Sequence, residues 1–147
     1  MKLNVINALR QPGKIFYVQK DMDITDAGGY EAISPLHVSM QYVCSENKIN
    51  VLGSAVMEIK GYCDRCLKET SAKIAFDFNE NFYKPEDLPE DDAYTLDRNF
   101  IDLEEPMNSL LEMHAPMKFL CSEDCKGLCK ICGHNLNEGD CEHVKKD

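Results

Sequence analysis

The sequence predicts an α+β fold: an antiparallel β-sheet, able to curl toward a barrel, packed by one main helix and followed by a small cysteine-rich tail. Three observations predict it. Apolar and polar residues alternate through much of residues 36–82, one capped helical stretch follows at about 103–115, and the run CSEDCKGLCKICGHNLNEGDCEH at 121–143 concentrates cysteine and histidine.

The strands come first. LHVSMQYVC sets Leu36, Val38, Met40 and Tyr42 on one face, and INVLGSAVMEIKGY does the same with Ile49, Val51, Ala55, Met57 and Ile59. SAKIAFDFNENF continues the pattern with Ala72, Ile74, Phe76, Phe78 and Phe82. Period-two alternation of this length marks half-buried strands, and short connections between them favour an antiparallel meander. YKPEDLPEDDAY breaks the pattern with Pro85, Pro89 and a run of acids, and reads as a solvated loop. IDLEEPMNSLLEMHAP is the one clear helix: Asp102 caps it, Glu105 stands where a capping box needs it, and Pro116 ends it. Its apolar face carries Leu103, Met107, Leu110, Leu111 and His114. The domain reading is therefore a sheet-and-helix domain over 1–118 and a cysteine-rich tail over 119–147. No internal repeat or low-complexity tract interrupts it.

Composition bounds the function. At 147 residues, 44% hydrophobic and 29% charged, the chain has the make-up of one globular domain with a small appendage. MKLNVINALRQPGK lacks the apolar run of a signal peptide, and no apolar stretch is long enough to span a membrane, so a cytoplasmic protein with no membrane role is expected. Thiols stay reduced in that compartment, which turns an even cysteine count toward metal or redox chemistry rather than disulfides. The formal net charge of −10 opposes a general nucleic-acid surface. Its distribution is uneven: residues 1–20 carry Lys2, Arg10, Lys14 and Lys20 with no acid, whereas 85–105 carry nine acids against Arg98. Local contact with RNA stays open, and a basic protein partner is equally compatible.

Cys129-Lys-Ile-Cys132-Gly133 has the form of a knuckle whose amides face two sulfurs of a tetrahedral zinc. Cys141-Glu-His143 supplies a second pair close by, and the turn formers of GHNLNEGD let the chain double back. The expected set is Cys129, Cys132, Cys141 and His143, with His134 a possible substitute for His143. Cys63-Asp-Arg-Cys66 lies between two strand patterns, hence at a hairpin tip, and Cys121-Ser-Glu-Asp-Cys125 follows the helix. The arithmetic of eight ligands favours Cys63, Cys66, Cys121 and Cys125 as another centre, for one to two structural zinc ions in all. Rearranged sharing, such as Cys121 with Cys125, Cys129 and Cys132, stays open.

Other residues read as structure. Cys44 closes a strand as a small buried hydrophobe, His37 and His114 are structural, and Met107, Met113 and Met117 are core filler. The enzyme signatures are missing. Neither CxxC opens a helix in a βαβ setting, no His-x-Glu accompanies a Pro-Cys-x-x-Cys, and there is no Gly-x-Ser-x-Gly elbow or phosphate loop. Four protein ligands per metal leave no open position for chemistry. No catalytic residue and no small-molecule substrate are therefore expected.

CDRCLKE after a strand, then IDLEE, a helix and PMKFLCSEDCKGLCKICGHNLNEGDC, resemble the YceD family of large ribosomal RNA subunit accumulation proteins in its cysteine-rich bacterial form. The likeness runs from about residue 35 to the end. It places the family's CxRC on Cys63, Arg65 and Cys66, its long cysteine stretch on Cys121 through Gly133, and its Asn-Leu-Asn on Asn135, Leu136 and Asn137. Where related tails close with Cys-x-Cys, this one has Cys141-Glu-His143, and the apolar, basic continuation the family tends to carry is either absent or trimmed at Asp147. The resemblance implies a non-catalytic cytoplasmic factor for ribosome assembly, with a ribosomal RNA precursor or a large-subunit ribosomal protein as partner. The alternative is a thiol- or zinc-based redox or metal-responsive regulator.

Overall fold

The three long stretches of period-two hydrophobicity become the three long strands of one sheet in the computed structural model, which describes residues 1–46, 48–90, 93–139 and 141–142. In chain order the elements are β1 (Lys2–Asn4), α1 (Ile6–Arg10), β2 (Phe16–Met22), β3 (Asp26–Ala27), β4 (Tyr30–Ala32), β5 (Leu36–Ser45), β6 (Lys48–Tyr62), β7 (Glu69–Tyr83), β8 (Tyr94–Thr95), β9 (Phe100–Asp102) and α2 (Glu104–His114). Single 3-10 turns lie at Pro85–Asp87, inside the acidic segment, and at Leu136–Glu138.

β2, β5, β6 and β7 form a continuous antiparallel sheet. β4 pairs with β6 beyond the end of β5, and β3 hairpins back on β4. The register follows the buried set: Val38 faces Ala55, Ala55 faces Phe76, and Met57 faces Ile74, all on the core side. A slip of one residue would turn this whole set to water. Across that face lie Leu103 just before α2 and Met107 and Leu111 within it, all buried, with Leu3 and Ile101 of the separate β1–β9 pair and Ala8 of α1.

Some expectations are corrected. Among the described residues β2 and β7 do not pair, so the sheet stays open rather than closing into a barrel; helix and the β1–β9 ribbon cover its core side instead. Among the described residues there are two α-helices, because Ile6–Arg10 forms a short one beside the sheet, where the Asn4 side chain accepts the Ile6 amide at 3.0 Å. Met107 is buried, but Met113 and Met117 are 76% and 98% exposed. Met113 falls on the side of α2 away from Leu111, and Met117 lies in the connection after the helix. The N-cap of α2 is Leu103 and not Asp102, and it makes no side-chain cap bond; Asp102, one residue earlier, accepts the Glu104 amide at 3.0 Å, which holds its carboxyl below the usual carboxylate range. His114 ends the helix exposed, its ring stacked on Phe76 at 5.1 Å. Cys44 is in the core, and His37 contacts Asp21 at 2.7 Å on the surface.

Gly53 lies at the crossing of Met40 and Phe78 in the register. A Cβ there would overlap the Ser39 carbonyl oxygen and stand 2.7 Å from the Met40 Cβ, so only glycine permits this approach of β5 to β6. Gly53→Ala is expected to destabilise the protein by about 1–3 kcal/mol, read as a lower midpoint in thermal or denaturant unfolding. An unchanged midpoint would mean that the two strands separate without cost.

Candidate metal centres

Between β6 and β7 the chain turns through Cys63–Lys68. The Cys63 amide donates to the Lys68 carbonyl at 2.8 Å and the Leu67 amide to the Cys63 carbonyl at 2.9 Å, with Leu67 in the left-handed region at φ 63°. This folds the knuckle so that Cys63 and Cys66 are both buried. The second half of the site arrives after α2. The Asp64 amide donates to the Phe119 carbonyl at 2.7 Å, and the Phe119 amide returns a bond to the Asp64 carboxylate at 3.0 Å. The Phe119 ring is itself buried, 5.0 Å from that of Tyr30.

Held at that point, the next turn brings Cys121 and Cys125 to the hairpin tip. Arg65 Nη1 donates to the Cys125 carbonyl at 2.9 Å. Gly127, at φ +79°, passes so close to Arg65 that a Cβ would be 3.2 Å from its carbonyl oxygen. The sulfurs of Cys63 and Cys125 are 3.5 Å apart, those of Cys66 and Cys121 3.6 Å, and all four lie within 4.8 Å of one another. A disulfide needs about 2.05 Å. A tetrahedral zinc with bonds of about 2.3 Å separates its sulfurs by about 3.8 Å. The chemistry and spacing of these four donors fit the ion.

A second group joins Cys129, Cys132 and Cys141, again within 4.8 Å. The Gly133 amide donates to the Cys129 carbonyl at 2.9 Å with Gly133 at φ +76°, and the Cys129 amide donates to the His134 carbonyl at 2.8 Å. Cys132 is exposed and Cys141 half-buried, so this group is far more open than the first. His143, expected as its fourth ligand, lies outside the described residues. His134 directs Nε2 to the Gly139 carbonyl at 3.0 Å and is not among the converging donor atoms.

The thiols differ in how they hold their protons. Burial pushes Cys63 up, but amides of Cys66, Cys121 and Arg65 and the Cys125 thiol donate to its sulfur and bring it down to about 6. Amides of Cys132 and Ile131 draw Cys129 down to about 6. Cys121, whose half-buried thiol donates to the sulfurs of Cys125 and Cys66, is pushed up to about 12 by those bonds and by partial desolvation. Without a cation the first group shares protons between strong acceptors and reluctant donors. A divalent ion can take the place of those protons and satisfy every sulfur at once.

One contributor had no role assigned from sequence. Asn137 accepts the Lys126 amide at 2.8 Å and donates Nδ2 to the Cys125 sulfur at 3.3 Å, which lowers that thiol's pKa. The Asn135 side chain in turn accepts the Asn137 amide at 3.0 Å. The Asn-Leu-Asn of the tail therefore couples the second turn to a donor of the first group, a contact that spacing alone does not signal.

A family model described as "Large ribosomal RNA subunit accumulation protein YceD" matches residues 51–147, which include both cysteine groups. The chain belongs to the YceD family. Similar curated proteins include uncharacterized proteins of Mycobacterium tuberculosis and Mycobacterium bovis, each 25% identical over 143 residues, covering 90% of this chain and 69% of theirs. An uncharacterized protein of Mycobacterium leprae is 26% identical over 138 residues, covering 86% of this chain and 63% of its own. No solved structure matches. No helix among the described residues of this YceD-family chain is long and apolar enough to cross a membrane.

The two groups should differ in what they hold. A metal shared by Cys63, Cys66, Cys121 and Cys125 closes a loop of the main chain from β6 to beyond α2, a constraint of about 4 kcal/mol by loop-closure entropy. Where zinc fills both groups, Cys66→Ser is expected to lower the global melting temperature and to reduce the metal content of purified protein by one ion per chain. Cys132→Ser should lose the other ion, disorder the tail in amide exchange and leave the sheet's melting nearly unchanged. Equal loss of sheet stability in both variants would refute this division of ligands.

Proposed function

We propose that the protein is a non-catalytic cytoplasmic factor supporting the accumulation of large-subunit ribosomal RNA, in which structural zinc staples a recognition tail to a sheet. The observation that carries this reading is the meeting of Cys63 and Cys66 with Cys121 and Cys125 at zinc-like spacing, in a chain that belongs to a family described by that role. Cys129, Cys132, Cys141 and His143 would hold the other ion. With four protein ligands each, neither ion retains an open position to activate water or substrate, so their contribution is shape. Residues 1–118 then serve as the platform and 119–147 as the element presented to the partner.

The partner is a ribosomal RNA precursor or a large-subunit ribosomal protein. A net charge of −10 steers poorly toward phosphate, and the thiolates of two zinc sites outweigh the charge of the ions they hold. Direct binding to RNA would accordingly be weak and local, and a basic ribosomal protein is the better match. Tagged protein drawn from cells is expected to enrich large-subunit material and to keep a ribosomal protein after ribonuclease treatment. Loss of all partners on treatment would make the contact RNA-borne, and no enrichment in either sample would overturn the reading.

The exposure of Cys132 favours a second role, as a redox-responsive metal site. Mild peroxide would oxidise two thiolates of the outer group to a disulfide, itself being reduced to water, and release one zinc. Zinc release should then begin at the outer group while Cys63, Cys66, Cys121 and Cys125 keep theirs, measured with a chromogenic chelator and mass spectrometry of trapped thiols. Simultaneous release from both would rule out a selective sensor.

A further inference from the structure

β7 gives one side to β6 along its whole length, from Glu69 opposite Tyr62 to Tyr83 opposite Lys48, with no break in register. On its other side β8 pairs only with Phe82 and Tyr83. From Glu69 to Asn81 no other strand of the described residues adjoins that side. Two hydrogen bonds show which backbone groups face it. The Leu96 amide donates to the Tyr83 carbonyl, on the β8 side, whereas the Cys63 amide donates to the Lys68 carbonyl, on the β6 side. Direction alternates along a strand, so odd-numbered residues from Glu69 to Asn81 aim their N–H and C=O groups away from β6.

Natural sheets guard such an edge with proline, a bulge, charged side chains or a covering segment, and of these β7 carries charge, in Lys73 and Asp77, which a partner of matching register neutralises. This stretch has no proline and no bulge. We infer that the free edge of β7 pairs antiparallel with β7 of a second copy of this chain, about a two-fold axis at Ala75. That register sets Lys73 opposite the partner's Asp77, and by symmetry Asp77 opposite the partner's Lys73, on the solvent-facing side of both sheets. Ser71 meets the partner's Asn79, and Ala75 meets its own counterpart without steric conflict. On the core side Ile74 meets the partner's Phe76, and Ala72 the partner's Phe78. Every odd residue opposes an odd residue, so both rows of outward amides and carbonyls find partners.

Charge selects the register. Moving the axis by one residue leaves Lys73 and Asp77 opposite uncharged side chains. Moving it by two sets Lys73 against the partner's Lys73 or Asp77 against the partner's Asp77, and like charges directly opposed disfavour pairing. The contact is isologous and closed, as a symmetric dimer requires.

Size-exclusion chromatography with light scattering on the full chain, over about 1–100 μM, should give twice the 16.7 kDa chain mass. Asp77→Lys places a lysine against the partner's Lys73 and is expected to give monomer; adding Lys73→Glu restores opposite charges and should restore the dimer. Lys73 also faces Glu58 within its own chain, so unfolding curves confirm that each variant is folded. Ala75→Pro removes an outward amide without touching a bond to β6, and should also be monomeric. In amide exchange, Lys73, Ala75 and Asp77 should be protected in the native protein and lose protection in Asp77→Lys, while Ile74 and Phe76 keep theirs. A native chain that is monomeric throughout, or a dimer indifferent to Asp77→Lys and Ala75→Pro, overturns the inference. So does an edge protected only in complexes drawn from cells, which would assign it to another protein.

Discussion

Between Asp64 and Phe119 two hydrogen bonds run in opposite directions, and beside them four sulfurs from the same two segments converge. Much of what distinguishes this molecule depends on that junction. It joins the tip of the longest hairpin to the chain leaving α2, fixing the end of the helix relative to the sheet it covers. It also sets where the tail begins, because the turn from Cys121 to Gly127 is built against Arg65. Loop-closure entropy makes such a contact expensive to form and correspondingly effective once formed.

The same junction explains the chemistry of the sulfurs. Buried thiols in apolar surroundings are inert, but here amides of the knuckle point at Cys63 while neighbouring thiols crowd Cys121. The first group, three of its four cysteines buried, is thus poised between proton sharing and cation binding. The outer group shares the amide arrangement at Cys129 but not the enclosure, since Cys132 faces water. Asn137 bridges the two, so a change in the outer turn reaches a donor of the inner group through one carboxamide.

The sheet has an asymmetric economy. Its core face is covered by α2, α1 and the β1–β9 ribbon, while among the described residues no strand pairs along the long side of β7. Covering by these elements buries the core side without requiring the strands to close on themselves, and so a chain with long alternating strands ends as a layered α+β domain. The acidic segment after β7 contributes little to that core: its 3-10 turn at Pro85–Asp87 is solvated, and Leu96 just beyond it returns to the interior.

The long strands, the main helix and the grouping of cysteines into pairs were legible in sequence because each is written in local periodicity or spacing. Leu36 to Cys44 and Ile49 to Ile59 alternate for long enough to declare a buried face, and Cys129 and Cys132 lie close enough to imply a knuckle by themselves. β1, β9, β3 and β4 have two or three residues each, too few to show a period; Leu3 becomes a strand residue only because Ile101 stands opposite it. Met113 and Met117 look like core by composition, and only the placement of the helix leaves them outside. The contact of Asn137 with Cys125 and the openness of the β7 edge were invisible for a related reason. Sequence alone determines which residues prefer burial, turns or metal, because those preferences act over a few positions. Which cysteines meet, which edge stays unpaired and which polar side chain reaches a sulfur depend on chain segments far apart in sequence, and only the tertiary structure decides them.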